Sequence, residues 1–315
     1  MRRFLIKACL GAGLLSFFVI GYGAFCDYFF TQKRYLDLSE KKQWVLAQDG
    51  GDFDYAVLGS SRAYGAFDMN LLDSLTGMNG INLASNGSGF KDNLLVLNLF
   101  LQDNTIDKLF LQVDLGSLNS RESFSNEFHA FTFLPYWEDS IVQEVLRKDI
   151  PAFDNRLTSL IPQWRYFYFN KYFSPKEVLR RAELSDSQTD LYTEVKGGMR
   201  STYIKNEKRN SEFQLYPQPD KVDSLDLNYL SEILSMAKSR NIQTTLFVAP
   251  RYQSDHNYLQ SVMRQFSVTT VFPLGFDESD QTLFQDQGHL SDFGRFVFTQ
   301  KFSEKLSNYR KKNSS

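Results

Sequence analysis

Four residues, Tyr55-Ala-Val-Leu58, form an apolar run that Gly59 ends, and Ser60, Ser61 and Arg62 follow at once. A β-branched and aromatic run closed by glycine is the pattern of a buried strand. The same grammar returns down the chain. Gly80–Ala84 reads as a second strand before the glycine-rich turn Ser85–Gly89, and Leu109–Val113 as a third that ends in Asp114. Ile242–Ala249 is a fourth, closed by Pro250-Arg-Tyr252, and Thr269–Phe272 a fifth. Between them the spacing predicts helices at Asp68–Leu75, Lys91–Leu101 and His256–Phe266, and one with Leu227, Leu230, Leu234 and Ala237 on a single face. A last helix takes Ser291 as its N-cap. Strands that alternate with helices imply βαβ units on a parallel sheet. The expected fold is therefore α/β, a three-layer α/β/α sandwich whose central strands are Tyr55–Leu58, Leu109–Val113 and Ile242–Ala249.

That rhythm lapses between about Asn119 and Pro219, where aromatic clusters such as Trp164–Phe169 alternate with prolines and polar turns. The chain holds 29 Phe and 16 Tyr, and many of them fall between Phe124 and Phe173. Aromatic rings serve as core packing, and they also offer flat contact area to sugar rings or acyl chains. Core packing is the expected role for most of them. No 20- to 50-residue period marks a solenoid or propeller. The block reads as a partly helical, aromatic-rich insertion packed over the strand ends, where it borders the cleft and sets substrate choice.

The amino terminus carries Arg2, Arg3 and Lys7, after which Ala8–Cys26 runs without a charge. About 20 apolar residues cross a bilayer, and basic residues before the run favour a cytoplasmic amino terminus. A cleavable signal peptide is the competitor, but Gly21-Tyr22-Gly23 fits a small-x-small cleavage site only loosely. The chain thus divides into a membrane anchor at 1–30, a connector at 31–52 and an α/β domain at 53–315 that contains the insertion. Everything beyond about Tyr28 is expected outside the cytoplasm. A net charge of -2 gives no electrostatic case for nucleic acid. Cys9 and Cys26 are the only cysteines and both lie in the anchor, so the domain has neither a disulfide framework nor a thiolate metal site. No other cluster has metal-ligand spacing, and no cofactor is expected.

Residues just past the strands of an open parallel sheet stand at its ligand-binding edge. There Ser61 and His289 fit a nucleophile and its general base, because a serine hydroxyl needs a base within hydrogen-bond reach. Asp286, three residues before His289, fits the carboxylate that fixes the imidazole tautomer. Of three histidines, His289 alone is flanked in this way; His129 and His256 read as ordinary polar residues. Arg62 and Asp114 are candidates for lining the site or for a salt bridge beneath it.

Gly59-Ser-Ser61, Gly87 five residues after Asn82, and Leu283-Phe-Gln-Asp-Gln-Gly-His-Leu-Ser-Asp-Phe-Gly294 together resemble the blocks of the SGNH/GDSL hydrolase superfamily. The last block is most similar to membrane-anchored cell-envelope members of the polysaccharide O-acetylation and teichoic-acid D-alanylation type. The match covers about Phe53–Leu118 and Leu227–Leu306. The resemblance implies an SGNH/flavodoxin-like sheet. It also implies Ser61 rather than Ser60 as nucleophile, the Asp286–His289 pair, and an oxyanion hole from the N–H groups of Ser61 and Gly87. One departure stands out: the superfamily's third block carries an oxyanion-hole asparagine, and Leu111–Gly116 has none at that place. Asn86 and Ser117 are alternative side-chain donors. The resemblance further implies a serine esterase or O-acyltransferase of the cell membrane acting on envelope polysaccharide or an acylated glycan or lipid, with a multi-span acyltransferase as a partner. A catalytically weak protein that binds polysaccharide or scaffolds its modification or export is the alternative.

Overall fold

The computed structural model describes residues 1–31, 40–119, 130, 132–168, 189–199, 222–254, 256–271 and 275–313. Packing divides the chain into two units: Met1–Gln43 with Phe124–Ser187, and Trp44–Ser123 with Gln188–Ser315. Along the chain run α1 (Arg2–Thr31), α2 (Glu40–Leu46), β1 (Asp52–Leu58), α3 (Ser61–Ala66), α4 (Met69–Thr76), β2 (Gly80–Asn82), α5 (Phe90–Asp103) and β3 (Thr105–Gln112). The insertion contributes α6 (Ser140–Arg147), α7 (Ala152–Leu160), α8 (Trp164–Tyr168) and α9 (Thr189–Glu194). Then come α10 (Ser224–Ser239), β4 (Gln243–Phe247), α11 (Asn257–Met263), β5 (Thr269–Val271) and α12 (Asp292–Asn313). Of the expected segments, 32–39 of the connector, Phe272, and insertion residues 120–129, 131, 169–188 and 200–219, with His129 and Phe169 among them, lie outside the described residues.

The protein is α/β, and its five strands form one parallel sheet in the order β2-β1-β3-β4-β5. Val57 stands opposite both Asn82 and Phe110, and Leu111 opposite Leu246, so the three expected central strands share the sheet in parallel. Alternate residues of β1, β3 and β4 give the sheet its apolar face. Tyr55, Val57, Phe110 and Phe247 join Phe67, Phe298 and Phe302 in one buried cluster. Its rings meet edge-on: Phe302 lies 4.8 Å from Phe67 and 5.3 Å from Phe110, centroid to centroid. Fully burying one such side chain stabilises by about 1.5–3 kcal/mol. The cluster therefore ties α3 and α12, which flank the two halves of the site, to the sheet itself.

Helix α5 is buried along most of its length, from Phe90 to Leu101, as its unbroken leucine spacing requires. It packs against α10. Asp68 caps α4, accepting from the N–H of Leu71 at 3.0 Å, and Ser291 caps α12, accepting from Gly294 at 3.1 Å. Part of the insertion belongs to the sheet unit. There the Lys196 carbonyl accepts from the Asn82 N–H at 2.9 Å, and the Met199 carbonyl accepts from Arg295 Nη1 at 2.6 Å.

Helix α1 is the one described helix long and apolar enough to cross a membrane, over Arg2–Tyr28. In its own unit it packs against α8.

Candidate active site

Strand order reverses between β1 and β3, and in open parallel sheets ligands bind beyond the carboxyl ends at such a point. β1 runs out there into Gly59, Ser60 and Ser61, and β3 ends in Gln112. After β1, Gly59 makes the turn; a Cβ on it would stand 2.6 Å from the Gln112 side chain and 2.7 Å from that of Ala63, so only glycine fits. Ser60 is then the N-cap of α3 and Ser61 its first residue.

Gln112, the last residue of β3 and 1% exposed, organises this turn. Its Oε1 accepts from the Ser60 N–H and hydroxyl, each at 2.9 Å, and from the Ala63 N–H at 3.2 Å. Its Nε2 donates to Asp114. Three donors on one side and a carboxylate on the other leave a single sensible amide orientation. Asp114 accepts from the Ser117 N–H at 2.8 Å and pairs with Arg62 Nη1 at 3.0 Å. The second Arg62 terminal nitrogen donates to the carbonyls of Ala249 and Pro250, at the end of β4. Arg62 and Asp114 both line the cavity at this edge, and their ion pair braces the turn against the segment after β4.

At the turn, Ser60 and Ala63 give their N–H groups to Gln112 and Arg62 gives its own to the Ser60 hydroxyl at 3.3 Å. The Ser61 N–H has no hydrogen-bond partner among the described residues, and neither has that of Gly87. Gly87, at φ 69°, lines an open cavity of about 250 Å³ together with Ser60, Arg62, Ser88, Asp114 and Ser117. Asn86 is exposed beside it.

The loop before α12 carries the other half. Phe284 and Leu290 form an antiparallel bridge, and the Gln285 N–H donates to the His289 carbonyl at 2.8 Å, which closes a tight loop. The Tyr252 N–H ties that loop to the segment after β4 through the Gln287 carbonyl at 3.0 Å. Inside the loop, Asp286 Oδ1 accepts from the N–H groups of Gly288 at 2.8 Å and His289 at 2.9 Å. His289 Nδ1 lies 2.9 Å from both carboxylate oxygens, and Nε2 lies 2.8 Å from Ser61 Oγ. A carboxylate only accepts, so the proton sits on Nδ1 and Nε2 is left to receive the serine proton. Burial raises the Asp286 carboxyl, but the hydrogen bond and charge of His289 and the two loop N–H groups outweigh it. The net shift is downward, so the group stays ionised.

All three expected catalytic residues thus meet at one edge of the sheet. Sequence reasoning missed the role of Gln112, whose signal was its position at the end of an apolar strand. It also missed Arg251, which follows β4. Burial, then the neighbouring charge of Arg62, push that guanidinium below its ordinary value, while Asp114 opposes the shift. His256, read as an ordinary polar residue, pairs with Glu278 at 2.8 Å, and Glu278 also accepts from the Arg251 N–H at 2.7 Å. Among the described residues no group of His, Cys, Asp and Glu is placed to hold a metal ion.

No family model matches the chain. No curated protein is significantly similar to it in sequence.

Proposed function

We propose that the chain is a membrane-anchored, extracytoplasmic serine esterase or O-acyltransferase of the SGNH type, with a three-layer α/β/α domain. One observation carries this reading. Ser61, His289 and Asp286 stand in hydrogen-bonded series at the carboxyl edge of a parallel sheet. A serine at such an edge has no packing need for an imidazole partner that is itself held by a carboxylate; acyl transfer does.

In this reaction Ser61 Oγ attacks the carbonyl of an acyl ester while His289 Nε2 takes its proton. The carbonyl oxygen becomes an oxyanion, met by the N–H groups of Ser61 and Gly87. His289 then returns the proton to the leaving alcohol, and a serine ester remains. Water, or a sugar hydroxyl, enters by the same steps in reverse. Asp286 holds the imidazole and stabilises its cationic form throughout. The substrate class is an envelope polysaccharide or an acylated glycan or lipid, and a multi-span membrane acyltransferase is the partner that would supply activated acyl groups.

A non-catalytic reading, binding of polysaccharide or scaffolding of its modification, is favoured by one observation. At the end of β3 the one side-chain donor, the Gln112 amide, is committed to Asp114, so it is not offered to an oxyanion. Loss of one such donor costs about 10²–10³ in rate. Turnover of p-nitrophenyl acetate by the purified full chain, with and without an oligosaccharide acceptor, separates the readings. Release of nitrophenol supports the enzyme, and label on the sugar identifies transfer rather than hydrolysis. No release above Ser61→Ala supports the binding protein.

Arg2, Arg3 and Lys7, ahead of the charge-free run within α1, favour a cytoplasmic amino terminus. A periplasmic-type reporter fused after Ser315 should be active, and activity of a cytoplasm-only reporter there contradicts this topology.

A further inference from the structure

Helix α7 is turned inside out for a helix in water. Asp154, Asn155 and Thr158 lie on the side that meets protein: Asp154 accepts from Trp164 Nε1 at 2.9 Å, and Asn155 Nδ2 donates to the carbonyls of Arg147 at 3.1 Å and Ile150 at 3.3 Å. Thr158 is 1% exposed. Phe153, Leu157 and Leu160 follow the i, i+4, i+7 spacing and form the opposite stripe, with Leu157 half-buried and the exposed Arg156 and Ser159 beside it. Phe153 is 70% and Leu160 79% exposed. Single exposed apolar side chains are ordinary. A helix that bonds its polar face inward and presents its apolar stripe outward is not.

Contacts with α1 say what covers the stripe. A Cβ on Gly23 would stand 2.4 Å from Gln163 Cβ, so the chain entering α8 lies directly on the helix at that glycine. The Phe167 ring meets that of Tyr22 edge-on at 5.2 Å and stacks on Trp164 at 5.6 Å. Arg165, 4% exposed, donates through Nη2 to both carboxylate oxygens of Asp27 at 2.7 and 2.9 Å, and the Tyr166 hydroxyl donates to the same carboxylate. Tyr22 and Gly23 lie within the charge-free run, while Asp27 is the first charge after it. At 1.5 Å per residue, Tyr22 is about 7 Å deeper along α1 than Asp27. Elements lying in a membrane interface sink about 5–10 Å below the headgroups, and Trp and Tyr gather at that level.

We propose that α7 and α8 form a collar embedded in the bilayer surface where α1 leaves it. Phe153, Leu157 and Leu160 enter the boundary between headgroups and acyl chains, and the Asp27–Arg165 pair sets the depth. The collar rests on the reading that α1 crosses a membrane, and on nothing in the catalytic reading. It fixes the depth and tilt of the segment that leaves the anchor, while α1 itself carries the insertion.

The test uses the full chain in phosphatidylethanolamine–phosphatidylglycerol vesicles, with benzoylphenylalanine replacing Phe153, Leu160, Leu14 or Glu144 one at a time. Leu14 is 70% exposed within α1, and Glu144 is an exposed residue of α6. After irradiation, phospholipid adducts are expected at positions 153 and 160 as at 14, and well above those at 144. Adducts at 14 with none at 153 and 160 beyond the level of 144 overturn the collar and leave the anchor standing. Crosslinks from 153 or 160 to another polypeptide in place of lipid also overturn it. Absence of lipid adducts at Leu14 overturns anchor and collar together.

Discussion

Nε2 of His289 lies 2.8 Å from Oγ of Ser61 across 228 positions of chain. Separate backbone hydrogen bonds hold each partner. Ser61 starts α3 on a turn gripped by Gln112, and His289 sits in a loop closed by the Phe284–Leu290 bridge. The contact is therefore prearranged rather than made on substrate binding.

Asp286→Asn should leave the fold intact and depress activity severely. An amide can donate to Nδ1, which would move the ring proton to Nε2 and deprive Ser61 of its base. The comparable change in serine proteases lowers kcat about 10⁴-fold. A loss below tenfold in kcat, measured on an activated ester, contradicts the assigned role.

Gln112 holds the turn that carries Ser61. Gln112→Leu strands the N–H groups of Ser60 and Ala63, at about 1–3 kcal/mol for each unpaired group. Gln112→Glu keeps the acceptor for both but sets a carboxylate against Asp114. Its thermal midpoint should fall at neutral pH and recover on acidification, when one of the two carboxyls protonates. A Gln112→Glu midpoint independent of pH, relative to the parent, argues against this network.

The lowered Asp286 carboxyl predicts a pH dependence of fixed sign. Its folded value lies below the unfolded one, so its stabilising contribution is complete above about pH 4, the unfolded carboxylate range. That contribution is lost as pH falls through the folded value. The stability difference between parent and Asp286→Asn should then shrink as pH falls below about 4, the unfolded carboxylate range. Growth of the difference on acidification would falsify the assignment.

Much of the sheet was legible because buried strands announce themselves: Tyr55–Leu58 is apolar at every position, and the observed β1 ends where Gly59 ends the run. The meeting of Ser61, His289 and Asp286 was legible because rare residues stand in fixed local contexts, His289 after Asp286 above all. Gln112 was not, since its role is to accept from backbone N–H groups 52 and 49 positions away, and a polar residue at a strand end has many uses. The reversed polarity of α7 escaped because Phe153, Leu157 and Leu160 have the spacing of any amphipathic helix; only Asn155 and Thr158, bonded or buried on the other side, reveal which face looks out. Chain order likewise did not betray that Phe124–Ser187 packs with α1 in a unit of its own.

The central claim is that Ser61 is an activated nucleophile, and a fluorophosphonate probe reads this directly. Incubation of the full-length protein with the probe, followed by mass spectrometry of its peptides, should place one adduct on Ser61. Labelling should vanish in Ser61→Ala and fall steeply in His289→Ala, with folding unchanged by circular dichroism. An unlabelled Ser61 in a protein whose His289 contact is intact, or equal labelling in the Ser61→Ala variant, would contradict the account.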